Sequence, residues 1–165
     1  LNLYLISPER QVLGWFKTKN DKLFRDNFPV FSCAVDEGRY YGFPIHDIPG
    51  FKIGKYNHLK QLANPDQQDT DITRLDEVAL RSAIKKYFPL ANGNVINFKT
   101  CMFTNTPDEH FIIDKHPKFS QVFIAGGFSG HGFKFTTVIG EIISQMIIKS
   151  NFSKDLEFLR LSRFN

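Results

Sequence analysis

Four glycines fall within the first seven residues of GGFSGHGFKFTTVIGEI, residues 126–142, and the run then turns helical. The apolar stretch QVFIA precedes it, so the local order reads strand, glycine-rich turn, helix. Backbone at Gly126, Gly127, Gly130 and Gly132 can approach a ligand closely because no Cβ intervenes. The first N–H groups of the following helix, with their partial positive charge, suit a negative group. Lys134, placed one turn into that helix, adds a full charge, and His131 stands beside it. The spacing is G-x-x-G-x-G, the reverse of the dinucleotide fingerprint. The residues therefore point to an anion or carboxylate site; a tight turn that only lets strand and helix pack is the alternative.

Two further side chains could do chemistry. Cys101 lies in KTCMFTNTPDEHFIIDKHP, a polar stretch, whereas Cys33 lies in the apolar FSCAV. Taken alone, Cys101 is most simply an inert thiol; the reactive alternative would have Lys99, near it in sequence, favour its thiolate. Lys52 sits in GFKIGKYN between Phe51 and Ile53, and strand alternation puts it on the face opposite those two. A lysine on a strand is most simply an exposed one; inside a cavity it would supply fixed positive charge. His46, His58, His110, His116 and His131 show no metal-ligand spacing, nor do Asp108, Glu109 and Asp114, and no metal site is expected.

The elements that must position these groups change style along the chain. QVLGWFK (11–17), FPVFSCAV (28–35), RYYGFPI (39–45) and FKIGKYN (51–57) read as strands, with Asp36-Glu37-Gly38 as a hairpin turn. Residues 58–71 read as a loop. DEVALRSAIKKYF (76–88) reads as an amphipathic helix with Val78, Leu80, Ala83, Ile84 and Tyr87 on its apolar side, stopped by Pro89 and Gly93. Residues 94–110 read as irregular, 111–114 and 121–125 as short strands, and 133–149 as a second helix; the tail gives no clear pattern. Strands in hairpin order fill the first hundred or so residues and a strand–turn–helix unit the last sixty, which predicts two regions meeting near residue 105.

Composition bounds the rest. The chain has 165 residues, 42% hydrophobic with 18 Phe, enough for a real core. A net charge of +4 is spread among acids rather than clustered, which argues against nucleic acid as a partner. No stretch approaches the roughly 20 apolar residues of a membrane span. Neither cysteine falls in a paired-spacing motif, and no signal peptide pattern is visible, so a reducing, cytoplasmic setting is expected. The absence of an initiator Met leads us to expect a piece of something longer.

CMFTNTPDEHFIIDKHP followed by GGFSGHGFKFTTVIGEI resembles the C-terminal part of the monomeric sarcosine oxidase and N-methyl-L-tryptophan oxidase family. YYGFP, FKIGKYN and the ending RLSRFN are similar to the same family, so the resemblance covers essentially the whole chain. Members are flavoenzymes of about twice this length whose N-terminal half carries the Rossmann G-x-G-x-x-G turn, absent here. The resemblance implies an α+β chain with the missing N-terminal half as its partner. Residues 1–105 would be a strand-rich substrate domain portion, and 106–165 the closing strand and helix of an incomplete FAD-binding domain. It implies oxidation of a secondary N-methyl amino acid: a hydride equivalent passes from the N-methyl carbon to FAD, the imine is hydrolysed to formaldehyde and the primary amino acid, and dioxygen becomes hydrogen peroxide. On its own, this half would be inactive.

The resemblance also assigns roles by position. Cys101 falls on the cysteine joined through sulfur to the flavin 8-methyl carbon. Lys134 matches the lysine that pairs with the substrate carboxylate, and Gly130 the glycine whose backbone lies over the substrate. Lys52 matches the oxygen-activating lysine and Tyr41 an active-site tyrosine. Gly130, His131, Gly132 and Phe133 would face the pyrimidine side of the flavin, where reduction puts negative charge. Two positions depart from the family pattern. Tyr56 replaces a histidine four residues after the lysine, and Phe103 replaces a tyrosine two residues after the cysteine. Both changes fall on the amine or carboxylate side and put the substrate in question more than the chemistry. A non-catalytic binding module that retains the fold is the alternative; the retained Cys101, Lys52 and Lys134 argue against it.

Overall fold

The computed structural model describes residues 5–25, 27–67, 69–149 and 153–164. It is a mixed arrangement of sheet and helix. Strands β1 (Ser7–Phe16), β2 (Phe31–Val35), β3 (Gly38–Phe43), β4 (Phe51–Lys55) and β5 (Val95–Asn105) form one sheet in the order β2-β3-β4-β1-β5. Strands β6 (Ile112–Lys115) and β7 (Phe123–Gly126) form an antiparallel pair. Helix α1 spans Arg74–Tyr87 and α2 spans Thr136–Lys149. Glu9–Met102 make one compact unit and the remainder a second. Among the described residues no helix is long and apolar enough to cross a membrane.

In the first unit the period of two decides everything. Val12 and Phe16 of β1, Tyr40 of β3, and Phe51 and Ile53 of β4 are buried on one face, against Leu80, Ala83 and Ile84 of α1. Phe51 collects rings around itself: Phe24 at 5.2 Å, Phe28 at 5.7 Å, stacked Phe31 at 5.7 Å and Phe88 at 5.0 Å between centroids. Each such side chain contributes about 1.5–3 kcal/mol by leaving water, which is why so many phenylalanines cluster here. Residues of the other parity are left to line the opposite face.

Helix α1 starts two residues earlier than the apolar pattern predicts because Thr73 caps it. Its hydroxyl accepts from the Asp76 N–H, while the Asp76 carboxylate accepts from the Thr73 N–H. Val78, expected on the apolar side, is 54% exposed; the helix buries only the narrower stripe through Leu80, Ala83 and Ile84. At its far end Lys86 and Tyr87 donate to Glu37 in the β2–β3 turn, at 2.8 and 2.9 Å.

Asp76 also anchors the long connection between β4 and α1. Its carboxylate, fully buried, receives Arg10 Nη1 at 2.8 Å and Nη2 at 3.2 Å, and lies 2.9 Å from His58 Nε2. Arg10 further donates to the carbonyls of Asp69 and Asp71. One carboxylate thus ties strand, loop and helix.

The expectation of irregular chain over 94–110 is corrected: Val95–Asn105 is the longest strand of the sheet, beside β1. Asn97, Lys99 and Thr100 break the apolar run and hide the strand. Phe98 reveals its facing, packing edge-on against Phe16 at 5.9 Å.

In the second unit, Phe111, Ile113, Ile139, Met146 and Leu159 form a separate core. The tail, illegible in sequence, folds as 3-10 turns over Lys154–Leu159 and Leu161–Phe164. Arg163 pins it by pairing with Asp108 at 2.7 Å and holds that carboxyl down at about 2.

Candidate functional site

The face of the sheet turned away from α1 is built in rungs across β3, β4 and β1. Register sets Phe43 opposite Lys52 and Lys52 opposite Trp15. Lys52, expected on the face opposite Phe51 and Ile53, is there and half-buried. Its ammonium lies 4.8 Å from the centre of the Phe43 ring and 5.1 Å from that of Trp15. Two ring faces attract the cation and remove part of its water. Lys52 is therefore a held charge, not the freely solvated lysine of an ordinary sheet surface.

The next rung sets Tyr41 opposite Gly54. Tyr41 lies across Gly54 so closely that a Cβ there would come within 2.6 Å of its ring. Tyr41 meets Tyr56 edge to face at 5.1 Å between centroids. Burial pushes the Tyr41 hydroxyl well above its ordinary range, with Cys101 and Tyr56 adding to the effect, so it is a neutral phenol at any working pH. Tyr56, just past β4, is half-buried.

Cys101 joins this group from β5. Phe98 faces the α1 side, so alternation turns Cys101 the other way, toward the face that carries Lys52. It is a free, half-buried thiol. Burial pushes it up and Lys52 pulls it down. The cation felt at Cys101 is thus Lys52 rather than Lys99. At rest the sulfur is a thiol, with one positive charge placed to favour its thiolate.

Phe103, Gly130, His131, Gly132, Phe133 and Lys134 belong to the second unit. Gly130 takes φ +74, a conformation glycine allows cheaply, and the buried Phe103 ring occupies the space a side chain there would need. The turn is tied down through Ser129, whose N–H donates to the Thr104 carbonyl at 3.1 Å. The helix begins later than expected. Phe133–Phe135 is a 3-10 turn and α2 starts only at Thr136, so Lys134 precedes the helix instead of standing one turn inside it. Gly132 caps that turn without any side-chain acceptor. Lys134 is exposed; its ammonium donates to the His131 carbonyl at 3.3 Å. His131 Nε2 lies 3.1 Å from the Glu109 carbonyl, and Phe133 is 95% exposed.

The FAD dependent oxidoreductase family matches residues 4–146. The chain belongs to that family. It is 41% identical over 161 residues to the monomeric sarcosine oxidase of Bacillus sp. (strain NS-129), covering 96% of this chain and 41% of that protein. It is 39% identical over 141 residues to the human peroxisomal sarcosine oxidase, covering 83% and 36%. It is 34% identical over 167 residues to the N-methyl-L-tryptophan oxidase of Salmonella dublin, covering 97% and 43%. The chain thus spans about two fifths of the length of the curated relatives it matches. Among solved structures, Amadoriase I of Aspergillus fumigatus superposes with a TM-score of 0.76 at 22% identity, over 97% of this chain and 39% of that one. The L-proline dehydrogenase of P. horikoshii gives 0.73 at 21%, over 96% and 40%. These two show the fold.

The residues present fit a flavin. This half-buried sheet face offers aromatic surface, a fixed cation and a free thiol, and its rungs at Phe43–Lys52–Trp15 and Tyr41–Gly54 contain no carboxylate to repel a ring that becomes negative. Trp15 and Phe43 are the neighbours sequence reasoning missed. Phe43 was within reach, two residues from Tyr41 on the same strand face; Trp15 was not, since cross-strand register is invisible in one sequence.

Proposed function

We propose that this chain supplies the substrate-side residues and the flavin-linking cysteine of an FAD-dependent oxidase of secondary N-methyl amino acids. The overall reaction takes the N-methyl amino acid, dioxygen and water to the primary amino acid, formaldehyde and hydrogen peroxide. The observation that carries the reading is the ammonium of Lys52, held between Trp15 and Phe43 on the face that also holds Tyr41 and Cys101. FAD, when bound, supplies the two-electron chemistry, taking electrons from the carbon beside the amine nitrogen and giving them to dioxygen.

The rest is work for this chain's own residues. Lys52 stabilises negative charge as dioxygen takes up electrons; its position is fixed in advance, so no reorganisation is needed. Tyr41, kept neutral, and Tyr56 wall the amine with aromatic surface. Cys101 would hold FAD through a sulfur bond that replaces one C–H bond of the 8-methyl group; the thiol and methyl protons leave, the two electrons pass to the flavin and on to dioxygen, and Lys52 would ease the thiol's deprotonation. Lys134 pairs with the substrate carboxylate, and Gly130 presents bare backbone to the substrate. His131, Gly132 and Phe133 place the uncapped turn where it can meet the pyrimidine side of the flavin. In this reading residues 1–105 belong to the substrate domain and 106–165 to the FAD domain. The two free thiols suit a reducing compartment such as the cytoplasm.

The test is peroxide release by the full-length protein, with sarcosine, N-methyl-L-tryptophan and other N-methyl amino acids side by side. Peroxide with one of them supports the oxidase. Colourless protein that yields none with any of them overturns it in favour of a binding module. For the link itself, Cys101→Ser is expected to release its yellow colour on acid precipitation, while the unsubstituted protein keeps it in the pellet. Colour lost to the supernatant from both would refute the covalent bond.

A further inference from the structure

The rung beyond Tyr41 carries a cation that neither the motifs nor the resemblance singles out. Arg39 stands on β3 two residues before Tyr41, hence on the same face, and opposite Tyr56, whose N–H donates to the Arg39 carbonyl at 2.8 Å. Its guanidinium lies over the Tyr56 ring, 4.7 Å from the centre. Its Nε reaches Ser32 Oγ at 3.5 Å, a weak contact. Among the described residues no carboxylate pairs with it; the ion pairs there are made by other cations. Arg39 is exposed. A guanidinium held over a ring keeps its N–H donors free to form a fork with a carboxylate, and the ring contact favours its place beforehand.

The geometry points to Arg39 as a specificity-determining residue that selects N-methyl amino acids bearing a second, side-chain carboxylate. This rests on the oxidase reading above. Tyr41 stands on the rung between Lys52 and Arg39, Tyr56 shares the rung of Arg39, and Lys52 is two rungs away, about 13 Å at roughly 3.3 Å per residue. In the reading above oxygen is reduced at Lys52, so an amine held against the two tyrosines can turn its side chain the other way, toward Arg39. There it meets a preoriented cation and no competing acid. A neutral side chain would leave that guanidinium facing water and gain nothing from it. Tyr56 in place of an imidazole is what makes the ring on which Arg39 lies.

Full-length protein with wild-type sequence, Arg39→Leu and Arg39→Lys decides the matter. Peroxide-based kcat/KM is measured with N-methyl-L-aspartate and N-methyl-L-glutamate against N-methyl-L-alanine and N-methyl-L-leucine. Calorimetric Kd values are measured for glutarate and butyrate, which cannot be oxidised at an amine. The wild type is expected to favour the acidic substrates at least about 10-fold, the scale of one charge-assisted fork. Arg39→Leu is expected to erase that preference through KM and to weaken glutarate but not butyrate; Arg39→Lys recovers part of both. A wild-type preference for neutral side chains, or equal losses on both classes in Arg39→Leu, overturns the proposal and leaves Arg39 as a prop for Tyr56. If yellow protein oxidises none of the four, the parent reading fails for these amines and the titrations judge Arg39 alone. Tighter glutarate that Arg39→Leu abolishes supports the site, and equal affinity for glutarate and butyrate refutes it.

Discussion

Lys52→Met in the full-length protein is expected to slow reoxidation by dioxygen about 100- to 1000-fold, the scale of losing one preorganised charge, while flavin reduction by the amine changes by only a few-fold. The substitution is chosen for what it leaves intact. Methionine is close to lysine in length, flexible and apolar, and a thioether suits the slot between Trp15 and Phe43. The rings stay packed and only the charge goes. Stopped-flow measurement of the two half-reactions separates the effects. Equal losses in both would mean that Lys52 shapes the site and does not act on oxygen. A second consequence follows at Cys101. Without the Lys52 charge, burial acts unopposed on the thiol, so flavin attachment is expected to slow as well.

Asp76→Ala is expected to cost about 3–5 kcal/mol of stability, the scale for removing one partner of a buried ion pair. The carboxylate receives Arg10, His58 and the Thr73 N–H and hydroxyl. Its loss strands a guanidinium that is itself buried, removes the carboxylate half of the α1 capping box and frees the β4–α1 connection. Urea unfolding at neutral pH tests this, and a loss below about 1 kcal/mol would show that water enters and solvates Arg10. The same knot dictates the acid response. Burial alone pushes the Asp76 carboxyl up, but the hydrogen bonds from Arg10 and Thr73 overcome it and hold it at about 2, below its ordinary 3.8. That stabilisation is present above pH 3.8 and is lost as the pH falls toward 2. His58 is held below its ordinary 6.5 by burial, against the pull of Asp76. The unfolded chain therefore takes up that proton first, and stability begins to decline as the pH drops below 6.5. In Asp76→Ala the step near pH 2–4 should shrink.

What the sequence disclosed and what it withheld divide along a physical line. Alternation is a local property, so the facing of Lys52 and the hairpin at Asp36-Glu37 could be read directly. The resemblance singled out Cys101 and Lys134 because it compares positions, not forces. Register is not local. Nothing in QVLGWF says that Trp15 will stand across from Lys52, nor in RYYGF that Arg39 will lie on Tyr56. Strand β5 was missed because polar residues interrupt its apolar run, and a period of two cannot be counted through such breaks. The start of α2 was misplaced because a 3-10 turn shares the helix's composition over three residues. Val78 looked buried because the apolar stripe of α1 is narrower than its sequence.

The bare backbone at Gly54 carries a lesson about how this site can change over generations. Tyr41 occupies the volume that any side chain at position 54 would claim, with 2.6 Å left to its ring. Alanine at 54 must therefore push the phenol off the face, and the tyrosine is already braced by Tyr56. The two positions cannot drift independently. A lineage that remodels this pocket has to surrender the ring at 41 before it gains a side chain at 54, and the reverse order passes through a crippled intermediate. The double replacement is expected to be better tolerated than the sum of its parts, so Gly54 sets the order in which these two positions can change.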